Sequence, residues 1–289
     1  MGFWLELAAT GLITGGIYAL VAMGLNLQYG LMRILNIAHG EFLMLGAYLT
    51  WLAHTVLGVN PVAFMPAVAL ALFVAGLGVY HLCFRRVART SPSVEVIEAR
   101  SLLVGFGLMY LVQNAAYLAW GADLRGYSFL ADAVEIGGAR FAANRLLAFA
   151  FAVAASVALL ALLRFTLLGK AIRAMMQSPS GAQLVGIDTR VLHPVVFGAG
   201  LALAGVAGGL LSMVYEITPS MGEPYTVTAL IVITLGGLGS AAGCLAGGLL
   251  LGLVEAFGMH FTSPSLKMLL SYAVFIGVLL VRPKGLFSR

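Results

Sequence analysis

The sequence predicts an all-α polytopic membrane protein, a bundle of about eight to ten transmembrane helices with one or two broken or re-entrant helices. Three observations predict it. Of the 289 residues, 61% are hydrophobic and only 9% charged, against roughly 25% charged in a soluble domain, so a water-soluble surface cannot be covered. Apolar runs of about 20 residues recur along the whole length, each long enough to cross a hydrocarbon core of roughly 30 Å as a helix. The runs lack the weak alternation of a membrane barrel, and helices are the other spanning structure that satisfies every backbone group in lipid.

In chain order, the apolar runs predict spans at about 5–29, 31–57, 61–84, 101–120, 145–165, 193–214, 226–239, 243–260 and 266–281. The first run is preceded by Met1-Gly-Phe-Trp-Leu-Glu, with no basic stretch, and is closed by no small-residue cleavage site, so the first helix is expected to be retained. The second carries Arg33, Asn36, His39 and Glu41 inside "GLMRILNIAHGEFLMLGAY", residues 30–48. An isolated charge at mid-bilayer costs at least a few kcal/mol, so such residues face a cavity or one another. A backbone break near 36–40 would aim the N–H groups of a helix starting at Glu41 toward the membrane centre. Asn36 could cap them, and such an end suits an anionic group. The plainer alternative is an ordinary turn, with Arg33 on the cytoplasmic side.

The seventh span is short, and "LGGLGSAAG" interrupts the run after it with Gly236, Gly237 and Gly239. Irregular backbone is tolerated at membrane depth where protein or a wet cavity surrounds it. The stretches "NIAHGEFLMLGAYL" and "GLGSAAGCLAGGLL" occupy loosely corresponding places in the two halves, as interrupted helices of repeat-built transporters do. Small residues recur at four-residue spacing, Gly11 with Gly15, Gly205 with Gly209, Gly243 with Gly247 and Gly248 with Gly252. They favour close helix packing within one bundle over a dedicated dimer face.

Eleven of the sixteen basic residues fall in three segments: Arg85, Arg86, Arg89 and Arg100; Arg164, Lys170, Arg173 and Arg190; Arg282, Lys284 and Arg289. The positive-inside rule makes these cytoplasmic, and the intervening two and four spans return the chain to the same side each time. The N-terminus is then outside and the C-terminus cytoplasmic. The net charge of +5 is accounted for by this distribution and predicts membrane lipid, not nucleic acid, as the surrounding partner. Residues 167–194, "LLGKAIRAMMQSPSGAQLVGIDTRVLHP", fit a short amphipathic helix on the cytoplasmic surface. Lys170 and Arg173 share one face, Ala171, Ala174 and Met175 another, and Ser178-Pro-Ser-Gly turns the chain. A solvated connector is the plainer alternative.

Other chemistry is excluded. The P-loop pattern is absent, and "TLLGKA" lacks its first glycine and its hydroxyl residue, so any ATP is hydrolysed by another chain. The five histidines show no two-His helical spacing for a metal. Cys83 and Cys244 lie in apolar runs far apart and define no disulfide framework. Ser, His and Asp occur without a nucleophile-elbow context. No enzyme motif and no cofactor site on this chain is expected.

The motifs "LNIAHGEFLMLGAY" and "GKAIRAMMQSPSGAQLVGID", followed by "GVAGGLL", "VITLGGLGSAAGCLAGGLLLG" and the "RPKGLF" tail, resemble the permease subunits of branched-chain amino-acid ABC importers, in the shorter of their two types. The resemblance implies a single permease domain over residues 1–289 of a multi-pass bacterial inner-membrane protein. Its partners would be a second related permease, two cytoplasmic ATPases carrying ATP and Mg, and a periplasmic substrate-binding protein. The family's coupling segment, about 167–192, matches Gly169, Lys170, Arg173, Ala174, Ala182, Gly186 and Ile187. Its Asn-x-Ala-x-Gly-Glu stretch falls on Asn36, Ala38, Gly40 and Glu41, with His39 at a variable place. Asn36, His39, Gly40, Glu41, Gly236, Gly237 and Gly239 are thereby candidates for the pathway or the helix breaks. Leucine, isoleucine or valine would suit an apolar path, while urea, short amides and other small acids are carried by the same subunit type. A proton-coupled secondary transporter using Glu41 or Glu255 is the competing class.

Overall fold

The computed structural model describes residues 2–136, 139–282 and 285–286. Lys284 and Arg289 of the third basic segment lie outside the described residues. Helix α1 (Gly2–Met32) ends where Arg33 adopts φ 55° and its N–H returns to Tyr29 O at 2.8 Å. Residues 33–38 are not helical, and α2 (His39–Thr55) follows. The expected span 31–57 is therefore corrected. Within it residues 33–38 are irregular chain, which apolar periodicity alone does not distinguish from helix because four of the six are apolar.

Asn60 caps α3 (Pro61–Val79) through Oδ1, which accepts from Val62 N at 2.9 Å, with Pro61 at the first helical position where no N–H is needed. A widened turn, Tyr80–Phe84, carries the helix into α4 (Arg85–Thr90), so the first basic segment rides on a helix rather than a loop. Helix α5 (Val94–Trp120) stops at Gly121, φ 78°. A hairpin that the sequence did not announce, β1 (Ala133–Ile136) against β2 (Ala139–Ala142), precedes α6 (Ala143–Phe165). Hydroxyl or carboxylate caps then begin three helices in succession. Thr166 caps α7 (Leu167–Gln177), Ser178 caps α8 (Pro179–Leu184) and Asp188 caps α9 (Thr189–Ser212). The remaining helices are α10 (Gly222–Gly236), α11 (Ala241–Phe261) and α12 (Lys267–Val281).

Among the described residues, six helical stretches, Phe3–Met32, Pro61–Thr90, Val94–Trp120, Ala143–Phe165, Thr189–Ser212 and Ala241–Phe261, are long and apolar enough to cross a bilayer, and α12 is a shorter apolar helix. Helices α2 and α10, with 17 and 15 residues, are about 25 and 22 Å long, short of the roughly 30 Å core. Both are buried along much of their length and begin inside the bundle. Helices α1 and α9 form the centre, while α3, α5 and α6 turn most of their surface outward.

The two ends of the bundle differ. At one, Arg33, Arg89 and Arg190 line one recess and Arg164 and Arg173 line another beside the α10–α11 turn. The C-terminal segment joins them, Leu286 N donating to Leu235 O at 2.8 Å. At the other, the 121–142 segment folds over the helix ends. Arg125 and Ile217 exchange backbone hydrogen bonds, Tyr127 Oη lies 3.0 Å from Ser212 Oγ, and Asn144 donates to Met213 O at 2.8 Å. Burial pushes the Tyr127 hydroxyl up to about 12, the Ser212 bond opposing it, so this hydroxyl stays uncharged at ordinary pH.

The packing repeats with inverted sense. Helix α1 packs on α11 as α9 packs on α3, α2 on α9 as α10 on α1, and the pairs α1·α9 and α2·α10 map onto themselves. Helices α1 and α9 run antiparallel, Gly24 meeting Gly200 and Gln28 meeting Phe197, so the pattern is that of an inverted repeat related by a pseudo-two-fold axis in the membrane plane. The counterpart of residues 36–49 is thus the start of α10, and the expected pairing with the glycine-rich 237–250 stretch is corrected. All four small-residue pairs pack inside the bundle. Gly11 and Gly15 face Gly252 and Gly248 on α11, Gly205 and Gly209 meet Leu72 and Met65, and Gly243 and Gly247 meet α10. A Cβ on Gly248 would lie 2.6 Å from Ala19 N. Gly248→Val is expected to cost about 3 kcal/mol of packing strain, read as a lowered thermal unfolding midpoint and reduced folded yield in detergent.

Candidate functional site

Residues 33–38 lead from the basic end back into the bundle, while 213–221 lead in from the hairpin end. Helices α2 and α10 begin where the two meet. The meeting is backbone to backbone: a Cβ on Gly40 would run into Gly222 O, and one on Gly222 would lie 2.5 Å from Gly40 O. Only glycine fits on both sides. Thr226, one turn into α10, completes the joint by accepting from Gly40 N at 2.8 Å and donating to Ile37 O at 3.1 Å. Ser101 on α5 accepts from Leu35 N at 3.0 Å, and Gly105, one turn on, lets α5 close over the irregular segment at Ile37. Irregular backbone at this depth persists because protein groups take up its polar atoms.

The polar residues singled out by sequence converge here. Asn36 donates to Gln28 Oε1 at 3.1 Å, and Gln28 in turn donates to Phe197 O at 3.3 Å, tying the break to α1 and α9. Asn36 does not cap α2. Ala38 holds the N-cap place with no side-chain bond, and the helix starts at His39 rather than Glu41. The fully buried His39 reaches Val21 O through Nε2 at 3.2 Å, so the proton sits on that nitrogen. Glu41 is fully buried in the first turn of α2, with neither carboxylate oxygen hydrogen-bonded. The positive end of the α2 dipole offsets part of that cost. Glu223, in the first turn of α10, is exposed. Because the Gly40 and Gly222 backbones touch, no solute fits between the two helix starts.

Gly236, Gly237 and Gly239 lie elsewhere. They end α10 and form the turn at the basic end, with Gly237 at φ 90° and Gly239 at φ 85°. That turn meets the surface segment 167–192. Met176 on α7 touches the positions of both Gly239 and Gly30, and Asn26 Oδ1 accepts from Gly239 N at 2.8 Å. Within the segment, Gly169 is pressed against the Leu162 and Leu163 backbone of α6. Ile172, Met175 and Ala182 are buried, and Ala174 and Ile187 half-buried. Lys170 and Arg173 point outward, Arg173 donating to Arg164 O at 3.3 Å. Gly186 takes φ 89° to turn the chain toward α9.

Two residues escaped the sequence reading. Leu184 and Val185 are 89% and 76% exposed at the tip of this segment, an apolar pair with nothing of this chain over it. Their signal was two adjacent apolar residues before a glycine in an otherwise polar connector. Among the described residues no group of three or more His, Cys, Asp or Glu side chains is placed to hold a metal ion.

The sequence matches the family described as branched-chain amino acid transport system / permease component over residues 7–279. It is 30% identical to the high-affinity branched-chain amino acid transport system permease protein BraD of Pseudomonas aeruginosa, across 99% of this chain and 96% of that protein. It is 29% identical to permease proteins LivH of Escherichia coli and Salmonella typhimurium, likewise across 99% of this chain and 96% of each. No solved structure matches it.

The Thr226 joint makes a specific demand. Thr226→Val leaves the buried Gly40 N–H without an acceptor and is expected to cost about 1–3 kcal/mol, whereas Thr226→Ser keeps the bond. Thermal unfolding of the two variants in lipid nanodiscs checks this, with the valine form melting lower.

Proposed function

The chain belongs to the family of branched-chain amino acid transport permease components, and on that premise we propose that it is the membrane subunit of a binding-protein-dependent importer for leucine, isoleucine or valine. The end-to-end match to relatives named for that transport carries the reading. A second related permease would complete the membrane part. ATP and Mg belong to two cytoplasmic ATPases, and a periplasmic binding protein delivers the solute. The chain itself performs no covalent chemistry. The basic end is then cytoplasmic, the N-terminus outside and the C-terminus inside the cell, which is the orientation the arginine distribution favours.

The geometry supports a route for the coupling. Lys170, Arg173, Leu184 and Val185 offer an outward surface of mixed charge and apolar contact to an ATPase, and Gly169, Ala174, Ala182, Gly186 and Ile187 shape the two short helices that present it. Met176, on the inner side of the same segment, rests on Gly30 at the end of α1 and Gly239 in the turn that follows α10. A push on α7 therefore acts on two helices that reach the mid-membrane joint of Asn36, His39, Gly40 and Glu41. Two bundle arrangements differing in the tilt of α1 and α10 would open the path alternately to each side, and the ATPases need only bias one against the other. Selectivity can reside in the binding protein, so the path itself holds the solute weakly.

Proteoliposomes holding the chain with its second permease and ATPases, supplied with binding protein, should import leucine only with internal ATP. Uptake by the chain alone under a proton gradient would contradict the reading. Arg173→Glu reverses the charge offered to the ATPase and should lower both ATPase association and uptake by about tenfold, as a loss of about 1.4 kcal/mol implies. Unchanged values for both remove Arg173 from the contact.

A further inference from the structure

Beside the joint, α1, α10, α11 and α12 line a cavity of about 290 Å³. By volume that is room for roughly ten waters, or one small amino acid. One wall is polar and unusual for this depth. Glu255, 2% exposed, accepts from Tyr18 Oη at 2.8 Å and from Ser271 Oγ. Lys267 Nζ stands 3.5 Å from Glu255 Oε2 and 5.6 Å from the centre of the Tyr18 ring. That separation is longer than the roughly 2.7–2.9 Å of a hydrogen-bonded ion pair, and the lysine side chain is 42% exposed. The carboxylate is thus fixed by two hydroxyls, while its cation is held loosely. Val227, Ile231 and Met268 add an apolar part to the lining.

Glu255 lies six residues from the end of α11, about 9 Å, and Lys267 is the first residue of α12. A half-exposed ammonium at this level facing acyl chains would cost a few kcal/mol. The mouth of the cavity therefore opens to water or to a second subunit rather than to lipid. Its polar wall, near the end of α11 and the start of α12, lies toward the end opposite α7 and α8, where a solute delivered from outside would arrive.

We propose that this cavity binds a zwitterionic α-amino acid with an apolar side chain, its ammonium beside Glu255 and Tyr18, its carboxylate on Lys267, and its side chain against Val227, Ile231 and Met268. The exchange is neutral. Lysine leaves Glu255 for the incoming carboxylate as the incoming ammonium takes its place, so no unpaired charge is buried. A fatty acid or an alkyl amine of the same shape supplies only half of the exchange and is rejected. The inference rests on the importer reading and names the place where that importer's solute sits.

The test uses the assembled complex in proteoliposomes, with Cys83→Ala to remove the half-buried thiol and Thr228→Cys as a reporter on the cavity wall. The rate of labelling by an impermeant methanethiosulfonate is read without binding protein. Leucine is expected to slow labelling at least fivefold, and 4-methylpentanoate and isopentylamine to leave it unchanged. Glu255→Gln keeps the two hydroxyl partners. It and Lys267→Gln should each raise the leucine concentration needed for protection at least tenfold, with Lys267→Arg restoring it. Equal labelling with and without leucine, or wild-type protection in both glutamine variants, overturns the proposal. If that complex still imports leucine with ATP, the importer reading stands and the cavity assignment alone fails. If it imports no leucine, the importer reading fails as well. Protection by 4-methylpentanoate equal to that by leucine overturns the zwitterion assignment.

Discussion

The structure depends on the contact between the Gly40 and Gly222 backbones. In lipid every N–H and C=O must find a partner within the protein, and a helix that begins at mid-membrane presents up to four unpartnered N–H groups. Two such starts meet here, one approached from each end of the bundle. The cost is contained because glycine removes the side chains that would hold the backbones apart, and Thr226 takes up both an N–H and a carbonyl of the opposing segment. The central pair α1 and α9 encloses the joint, which explains why these two are the most buried of the long helices.

From that joint the rest of the molecule divides into two ends with different chemistry. Helix α10 belongs to both. Its first turn abuts Gly40, its middle forms a wall of the Glu255–Lys267 cavity, and the turn that follows it lies beside Met176 of α7. Helix α1 makes the same three connections through Val21, Tyr18 and Gly30. A bundle whose two longitudinal elements each touch the outer cavity, the central joint and the surface segment is mechanically suited to pass a displacement from one end to the other. The α1–α11 contact is close-packed through glycine and tied by the Tyr18–Glu255 bond, so the two helices move as a pair.

Much of this was legible in the sequence, and the exceptions share a cause. Periodicity located nearly every helix to within a few residues, because an apolar run in lipid has few alternatives to helix. It drew 31–57 as one span, although Arg33 and Asn36 pointed to a break near 36–40, and the path of the irregular Arg33–Ala38 stretch is dictated by Ser101 and Thr226 from distant helices. Glycine content drew attention to Gly236, Gly237 and Gly239, yet the true counterpart of the first break is Gly222, a single glycine after an unremarkable connector. The polar set Asn36, His39, Gly40 and Glu41 was visible as charge and amide in an apolar setting. Its partners Gln28, Val21 and Gly222 were not, since tertiary contact alone brings them there. Glu255 stood out in the same way, but the loose pairing with Lys267 required the fold of α11 onto α12.

The measurement that bears most directly on the account is an electron cryomicroscopy map of the assembled transporter in lipid nanodiscs, at a resolution that traces the backbone around residues 36–41 and 219–226. The account predicts that the starts of α2 and α10 touch through Gly40 and Gly222 near the middle of the bilayer, with Thr226 bridging them. A continuous transmembrane helix through residues 31–57, or lipid or solvent separating the two glycines, would contradict it.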